Sequence, residues 1–133
     1  MIPAFNDDGY LPEGVHLATM EEVAARFGQE TELRRVQMES LGWLVEAARR
    51  AGALRLIVNG SFTTDWPEPN DIDCVLLIGP GFPRDADAEK ELLDGLPFIE
   101  LKIVGAADFA LLVEHIFASD RQAIPKGMIE VVL

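Results

Sequence analysis

The segment LRLIVNGS, residues 54–61, is followed nine residues later by DIDCVLLI, residues 71–78. Both are apolar runs next to turn residues, which predicts two buried strands, the first ending in a tight turn at Gly60-Ser61. Side chains alternate along a strand, so Asp71 and Asp73 fall on one face. Two carboxylates this close repel each other unless a cation or a proton lies between them. Because Mg²⁺ often binds one or two carboxylates together with substrate phosphates, the pattern predicts a metal and phosphate site.

The composition is typical of one folded domain spanning residues 1–133. Of these residues 49% are hydrophobic, which is enough to form a single core. A length of 133 residues is short for a two-domain enzyme. No apolar run reaches the length of a membrane span, and the first residues lack the basic and apolar regions of a signal peptide. Cys74 is the single cysteine, so no internal disulfide can form. We therefore expect a cytoplasmic protein without a membrane partner.

The net charge of -12 argues against extended nucleic-acid binding, because that affinity comes from neutralising phosphates with Lys and Arg. The arginines nevertheless concentrate ahead of the Gly-Ser turn. They are Arg26, Arg34, Arg35, Arg49, Arg50 and Arg55. Two interpretations stay open: a local anion site, or arginines on solvated helix faces.

The remaining sequence predicts an α/β (α+β) fold, a small mixed sheet with helices packed mainly on one face. Residues 1–18, rich in Pro, Gly and Asp, predict an irregular N-terminal arm. Thr19 and Glu22 match a capping box that opens a short helix ending at Gly28. Three further helices are predicted at 30–51, 85–94 and 106–118, and four strands at 54–59, 72–78, 98–104 and 128–133.

The long helix is predicted to end at Gly52. Helical spacing puts its core face at six apolar positions: Leu33, Val36, Leu41, Leu44, Val45 and Ala48. Cys74 is expected in the core, because strand alternation points it away from the aspartates. In the loop between the motifs, Trp66 and Phe62 either stack on a base or cover the loop's apolar underside.

The spacing from Gly60-Ser61 to Asp71-Ile72-Asp73 resembles the signature of the DNA polymerase β-like nucleotidyltransferase superfamily. There a Gly-Ser turn precedes an Asp-x-Asp strand, and a third carboxylate lies on a later strand, where this chain has Glu100. The resemblance covers residues 54–104. It implies an enzyme that moves a nucleoside monophosphate from an NTP, such as ATP, to a hydroxyl of a protein or small molecule.

The resemblance also implies a role for each residue of the signature. Asp71, Asp73 and Glu100 would be catalytic and would bind one or two Mg²⁺ ions, with Glu100 either completing the metal site or accepting the proton of the incoming hydroxyl. Gly60 would let the backbone approach the triphosphate, and Ser61 would donate a hydrogen bond to its terminal phosphate.

Nearly the whole chain is similar to a family of small bacterial proteins usually grouped with the nucleotidyltransferases. The similarity rests on the motifs Ile2–Phe5, Leu11–His16, Arg26–Gly28, Gly60–Thr64, Pro69–Asp73 and Lys126-Gly127.

Each part of the predicted site also has a purely structural interpretation. Gly60-Ser61 and Asn70-Asp71 both suit ordinary turns, and Glu100 suits a solvated position paired with Arg55 or Lys102. Asp73 is harder to explain in this way, since an unpaired carboxylate within an apolar strand is costly.

Three functions from different classes remain open at this stage. The first is a Mg²⁺-dependent nucleotidyltransferase, which in so short a chain needs a homodimer or a protein partner to hold the acceptor. The second is an inactive binding module, such as an antitoxin-like partner of a basic protein in a toxin-antitoxin pair, which the acidic charge suits. The third is a nucleotide-binding regulator without turnover.

Overall fold

The computed structural model describes residues 1–133, which form a mixed five-stranded sheet and four helices. The strands are β1 (Val15–Ala18), β2 (Arg55–Asn59), β3 (Ile72–Leu77), β4 (Ile99–Val104) and β5 (Met128–Val131). The helices are α1 (Met20–Phe27), α2 (Glu32–Ala51), α3 (Ala86–Asp94) and α4 (Ala106–Leu111), which continues as a π-helical turn, Leu112–Ile116. None of them is long and apolar enough to span a membrane. The predicted α+β class, a mixed sheet with helices mainly on one face, is confirmed.

The strand order across the sheet is β1-β5-β2-β3-β4. The central strands β2 and β3 pair in antiparallel fashion, whereas β3 and β4 run parallel and are connected through α3. β5 inserts between β1 and β2, parallel to the first and antiparallel to the second. The consequence for function is that β2, β3 and β4 lie side by side with Asn59, Asp73 and Glu100 in one cross-strand row.

Two apolar layers cover the sheet. On one face, residues of α1, α2 and α3 pack on Leu56, Val58, Cys74 and Leu76 to form the main core. On the other face, α4 and the following turn cover a smaller cluster that contains Ile57, Val75, Phe109 and Met128. By alternation, Asp73 points to this second, thinner layer, and Cys74 is buried in the main core as predicted.

The predicted helix ends are confirmed for α1 and α2. The Thr19 hydroxyl accepts from the Glu22 backbone N–H, and the Glu22 carboxylate accepts from the Thr19 N–H, which completes the capping box. Gly28 follows α1, and Gly52 ends α2 with φ +80°, a left-handed conformation that favours glycine.

Two predictions from the sequence are wrong in part. The N-terminal arm is not irregular throughout, because residues 15–18 form β1 and pair with β5 in parallel. This pairing brings together residues near the two ends of the chain, and no local sequence pattern predicts it. The core face of α2 also differs from the prediction, because Val36 is exposed and Leu33 is half-buried. Three polar residues, Arg34, Gln37 and Ser40, take the buried positions in that half of the helix.

Candidate functional site

Two carboxyl groups lie next to each other near the amino ends of two parallel strands. Asp73 on β3 and Glu100 on β4 are register partners, so their side chains project from the same face of neighbouring strands. Asp73 is partly buried, whereas Glu100 is exposed. A small cavity of about 100 Å³ opens beside them and is also lined by Lys102 and Phe117. The geometry is that of a carboxyl pair with one sheltered and one accessible member.

The environment of Asp73 disfavours its charged form. Burial, the hydrogen bond and negative charge of Glu100, and the charge of Asp71 raise the pKa of Asp73 to about 6, while Lys126 acts in the opposite direction. The cost of placing this carboxylate in the sheet is therefore not removed by an ion pair within the protein. A proton stabilises the arrangement, and a bound cation would do the same.

The pH dependence of stability follows from this raised pKa. Between about pH 4, where an unfolded aspartate titrates, and pH 6, the folded state binds more protons than the unfolded state. The free energy of unfolding should therefore fall as the pH rises through this interval. Asp73→Asn should abolish that fall. At pH 8 its free energy of unfolding should be about 1–2 kcal/mol higher than that of wild type, a value reduced to allow for solvent screening.

Urea denaturation of wild type and Asp73→Asn between pH 4.5 and pH 8 measures the difference directly. A constant gap between the two stability curves across this range would contradict the assignment of the raised pKa to Asp73.

The Gly-Ser turn packs directly against Asp73. Gly60 has φ +84°, and a Cβ built on it would lie 2.6 Å from Asp73 Oδ2. The position therefore requires glycine for two reasons, the left-handed backbone and the close approach of the carboxylate. Ser61 begins a short 3₁₀ helix, Ser61–Thr63, and its hydroxyl forms no hydrogen bond within the protein. Its backbone carbonyl, in contrast, accepts from the Thr64 N–H and hydroxyl at 3.2 and 2.7 Å.

The turn also lines an open pocket of about 320 Å³. The pocket walls come from three separate parts of the chain: the arm at Tyr10, the loop from Ser61 to Trp66, and Lys126 shortly before β5. Hydrogen bonds fix the arm to the other two parts. The Asp65 N–H donates to the Gly9 carbonyl at 3.1 Å. The Tyr10 hydroxyl donates to Asp120 at 2.7 Å, and Gly127 N–H donates to the Leu11 carbonyl at 2.9 Å.

A buried arginine holds the loop that carries this pocket. Arg34 is 1% exposed, and its guanidinium donates to the carbonyls of Phe27, Phe62, Thr64 and Trp66. No carboxylate forms an ion pair with it. Gln37, one turn further along α2, donates to the Pro69 carbonyl in the same loop. These buried polar residues of α2 fix the loop between the two sequence motifs.

The other arginines do not gather into an anion site. Arg26, Arg35 and Arg49 donate to backbone carbonyls. Arg50 and Arg55 bind carboxylates on α3 and β5, respectively Glu91 and Glu130. Arg34 lies neither in an anion site nor on a solvated helix face, the two alternatives predicted from the sequence. For the group as a whole, the predicted local anion site is wrong.

Glu100 has no strong partner among the cations suggested for it. Arg55 does not pair with it, because Arg55 lies at the opposite end of β2 and binds Glu130 Oε1 at 2.5 Å. Lys102 Nζ lies 4.0 Å from Glu100 Oε1, the limit for an ion pair, with both side chains largely in solvent. Such exposed contacts contribute little, so Glu100 remains available to a ligand.

Asp71 lies one residue before β3 and is exposed, and its charge reaches Asp73. The structure contains no group of three His, Cys, Asp or Glu residues that could hold a metal ion by themselves. A cation at Asp73 and Glu100 would therefore need further oxygen ligands from phosphate and water. Mg²⁺ is commonly bound in that way, so the residues present are compatible with it.

Three residues of the site were not assigned a role from the sequence. Lys126 lines the pocket and influences Asp73, although 53 positions separate the two. Asn59 is buried in the row next to Asp73; its amide donates to the Phe117 carbonyl, and its Oδ1 has no partner. Tyr10 belongs to the arm. The Lys126-Gly127 motif was the one available signal for any of them.

The sequence matches a protein family over residues 3–132, and the chain therefore belongs to that family. It is described as a family of unknown function (DUF6932). No curated protein and no solved structure matches the chain. The arrangement of its own residues therefore has to support any functional proposal.

Proposed function

We propose that this protein is a Mg²⁺-dependent nucleotidyltransferase that transfers a nucleoside monophosphate from an NTP to a hydroxyl acceptor. One observation carries the proposal: a Gly-Ser turn and a carboxyl pair meet at the point where Gly60 lacks a side chain. The signature of the DNA polymerase β-like superfamily, which this chain resembles, has these residue types at this spacing. The open pocket that the turn also lines supplies space for a ligand.

The carboxylates of Asp73 and Glu100 would hold the cation, phosphate and water would supply its other oxygen ligands, and the nearby charge of Asp71 would add to the attraction. Mg²⁺, when bound, would supply positive charge to the oxygens around the α-phosphorus. Gly60 would allow the phosphates to lie against the backbone, and the unpaired Ser61 hydroxyl would donate a hydrogen bond to one of them. Positioning and charge neutralisation of this kind account for much of the rate of phosphoryl-type transfer.

The proton and the leaving group have defined destinations in this proposal. The acceptor oxygen forms a bond to the α-phosphorus, and the bond from that phosphorus to the bridging oxygen of the β-phosphate breaks. Pyrophosphate leaves with the electron pair. Glu100, the accessible member of the carboxyl pair, accepts the proton of the acceptor hydroxyl.

A transfer assay tests the proposal. The protein is incubated with NTPs labelled at the α-phosphate, Mg²⁺ and a bacterial lysate, in parallel with Asp73→Asn and with Asp94→Asn as the matched control. Asp94 is exposed on α3 and pairs with Lys90. We expect a labelled product with wild type and Asp94→Asn, and at least a hundredfold less with Asp73→Asn. Equal labelling by all three proteins, or labelling by none of them, contradicts transferase activity at this site.

A second function, a binding module for a basic protein, is favoured because most Lys and Arg side chains are engaged in contacts within the chain. Seven of the eleven Lys and Arg residues bind backbone carbonyls or carboxylates of the chain itself. They are Arg26, Arg34, Arg35, Arg49, Arg50, Arg55 and Lys90. Many of the 23 Asp and Glu residues remain in solvent, a field that would steer a positively charged partner. This function predicts that Asp73→Asn leaves partner binding unchanged.

A further inference from the structure

We infer that Lys126 binds the phosphates of the nucleotide, and that the pocket next to the Gly-Ser turn holds the nucleoside against Trp66. This inference rests on the proposed function and assigns a ligand to a pocket that the superfamily signature does not describe. The choice of Lys126 comes from the structure, because Lys126 is the single cation among the residues that line this pocket.

The ammonium group of Lys126 is not taken up by a direct contact within the protein. Its ammonium group forms no ion pair and no hydrogen bond, although the side chain is half-buried. It lies close enough to Asp73 and Asp120 for its charge to lower the pKa of each. The carboxylates themselves have other contacts, since Asp120 accepts from the Tyr10 hydroxyl. A half-buried, unpaired cation that faces a pocket is suited to bind an anion.

The position of Lys126 is fixed by the backbone around it. Its N–H donates to the Ala118 carbonyl at 2.9 Å, and the next residue, Gly127, donates to Leu11. A Cβ on Gly127 would lie 2.0 Å from the Pro12 carbonyl oxygen, so the chain approaches the arm more closely than any other residue would allow. The lysine is therefore presented to the pocket from a rigid point, which reduces the entropy lost on binding.

The residues that line the pocket carry charges of both signs. Asp8 and Asp65 line it and repel phosphate, whereas Lys126 and the free Ser61 hydroxyl attract it. The phosphates should thus lie between Ser61 and Lys126, whose charge reaches Asp73. Trp66 is 61% exposed, and its backbone is held by Arg34 and by the Thr64 hydroxyl. Its indole N–H donates to the Glu68 carbonyl at 3.1 Å, so the ring is held as an aromatic surface on which a base can stack.

Fluorescence of Trp66 provides the test, because the chain has only two tryptophans. In a Trp43→Phe background, Trp66 is the sole tryptophan, and ATP and AMP are titrated in the presence of Mg²⁺. We expect both nucleotides to change its emission. Lys126→Met should weaken ATP binding at least tenfold and AMP binding less than threefold, because AMP lacks the β- and γ-phosphates. Lys126→Arg should restore most of the ATP affinity.

The matched control is Lys90→Met, the same change on α3, away from the pocket, which should leave both affinities unchanged. Calorimetry accompanies each titration. If ATP binds but Lys126→Met weakens ATP and AMP equally, or neither, the role of Lys126 is wrong while the proposed function stands. If ATP binds without any change in Trp66 emission, the pocket assignment is wrong. If wild type binds no nucleotide at all, the proposed function fails as well.

Discussion

Replacing Arg34 with methionine is expected to lower the free energy of unfolding by about 3–5 kcal/mol, which corresponds to a Tm lower by roughly 10–20 °C. Methionine preserves the length of the side chain but removes every donor. The carbonyls of Phe27, Phe62, Thr64 and Trp66 would then lose their guanidinium partner, three of them in one loop. A buried acceptor without a partner costs about 1–3 kcal/mol, and part of the sum over four acceptors is offset because methionine does not carry the desolvation cost of the buried guanidinium.

The neighbouring variant Arg35→Met is the control, since Arg35 is exposed and donates to the single carbonyl of Gln29. It should change stability by less than about 0.5 kcal/mol. Thermal denaturation compares the two, and Trp66 emission shows whether the loop has moved. Equal stability of the two variants would show that Arg34 does not anchor the loop.

Replacing Gly60 with alanine should damage both the fold and the site. The left-handed φ of +84° costs about 1–2 kcal/mol for a residue with a Cβ, and the new methyl group would lie 2.6 Å from Asp73 Oδ2. The carboxylate and the turn must therefore move apart. We expect a loss of at least about 2 kcal/mol in stability, together with loss of nucleotide binding.

Gly42→Ala provides a sharp contrast. Gly42 lies inside α2, and a Cβ there would meet nothing within 4 Å. Alanine should stabilise this helix by about 0.5–1 kcal/mol, because it restricts the unfolded chain and favours helix. Chemical denaturation of both variants measures the two effects. If Gly60→Ala were as stable as Gly42→Ala, the close contact between the turn and Asp73 would be wrong.

The local patterns of the sequence predicted most of the fold. Strand alternation, the capping box at Thr19 and the glycine at position 52 are short-range signals, and each is confirmed. β1 was missed because its pairing with β5 connects residues more than a hundred positions apart. The face of α2 was misjudged because buried polar residues follow no hydrophobic period: Arg34 is buried for its hydrogen bonds and not for its apolarity.

The site was likewise predictable only where short-range sequence patterns determine it. The neighbouring placement of Asp73 and Glu100 follows from two strand patterns and a parallel connection. The second half of the pocket does not, because the arm and the segment before β5 join through backbone contacts such as Gly127 to Leu11. Those contacts depend on backbone geometry, which residue spacing does not encode.

Calorimetric titration of a non-hydrolysable ATP analogue, with and without Mg²⁺, tests the central claim most directly. Wild type and the control Asp94→Asn are predicted to bind the analogue only when Mg²⁺ is present, whereas Asp73→Asn should bind it at least a hundredfold more weakly. Binding that is independent of Mg²⁺ and unaffected by Asp73→Asn, or no binding by wild type, would contradict a metal-dependent nucleotide site at the carboxyl pair.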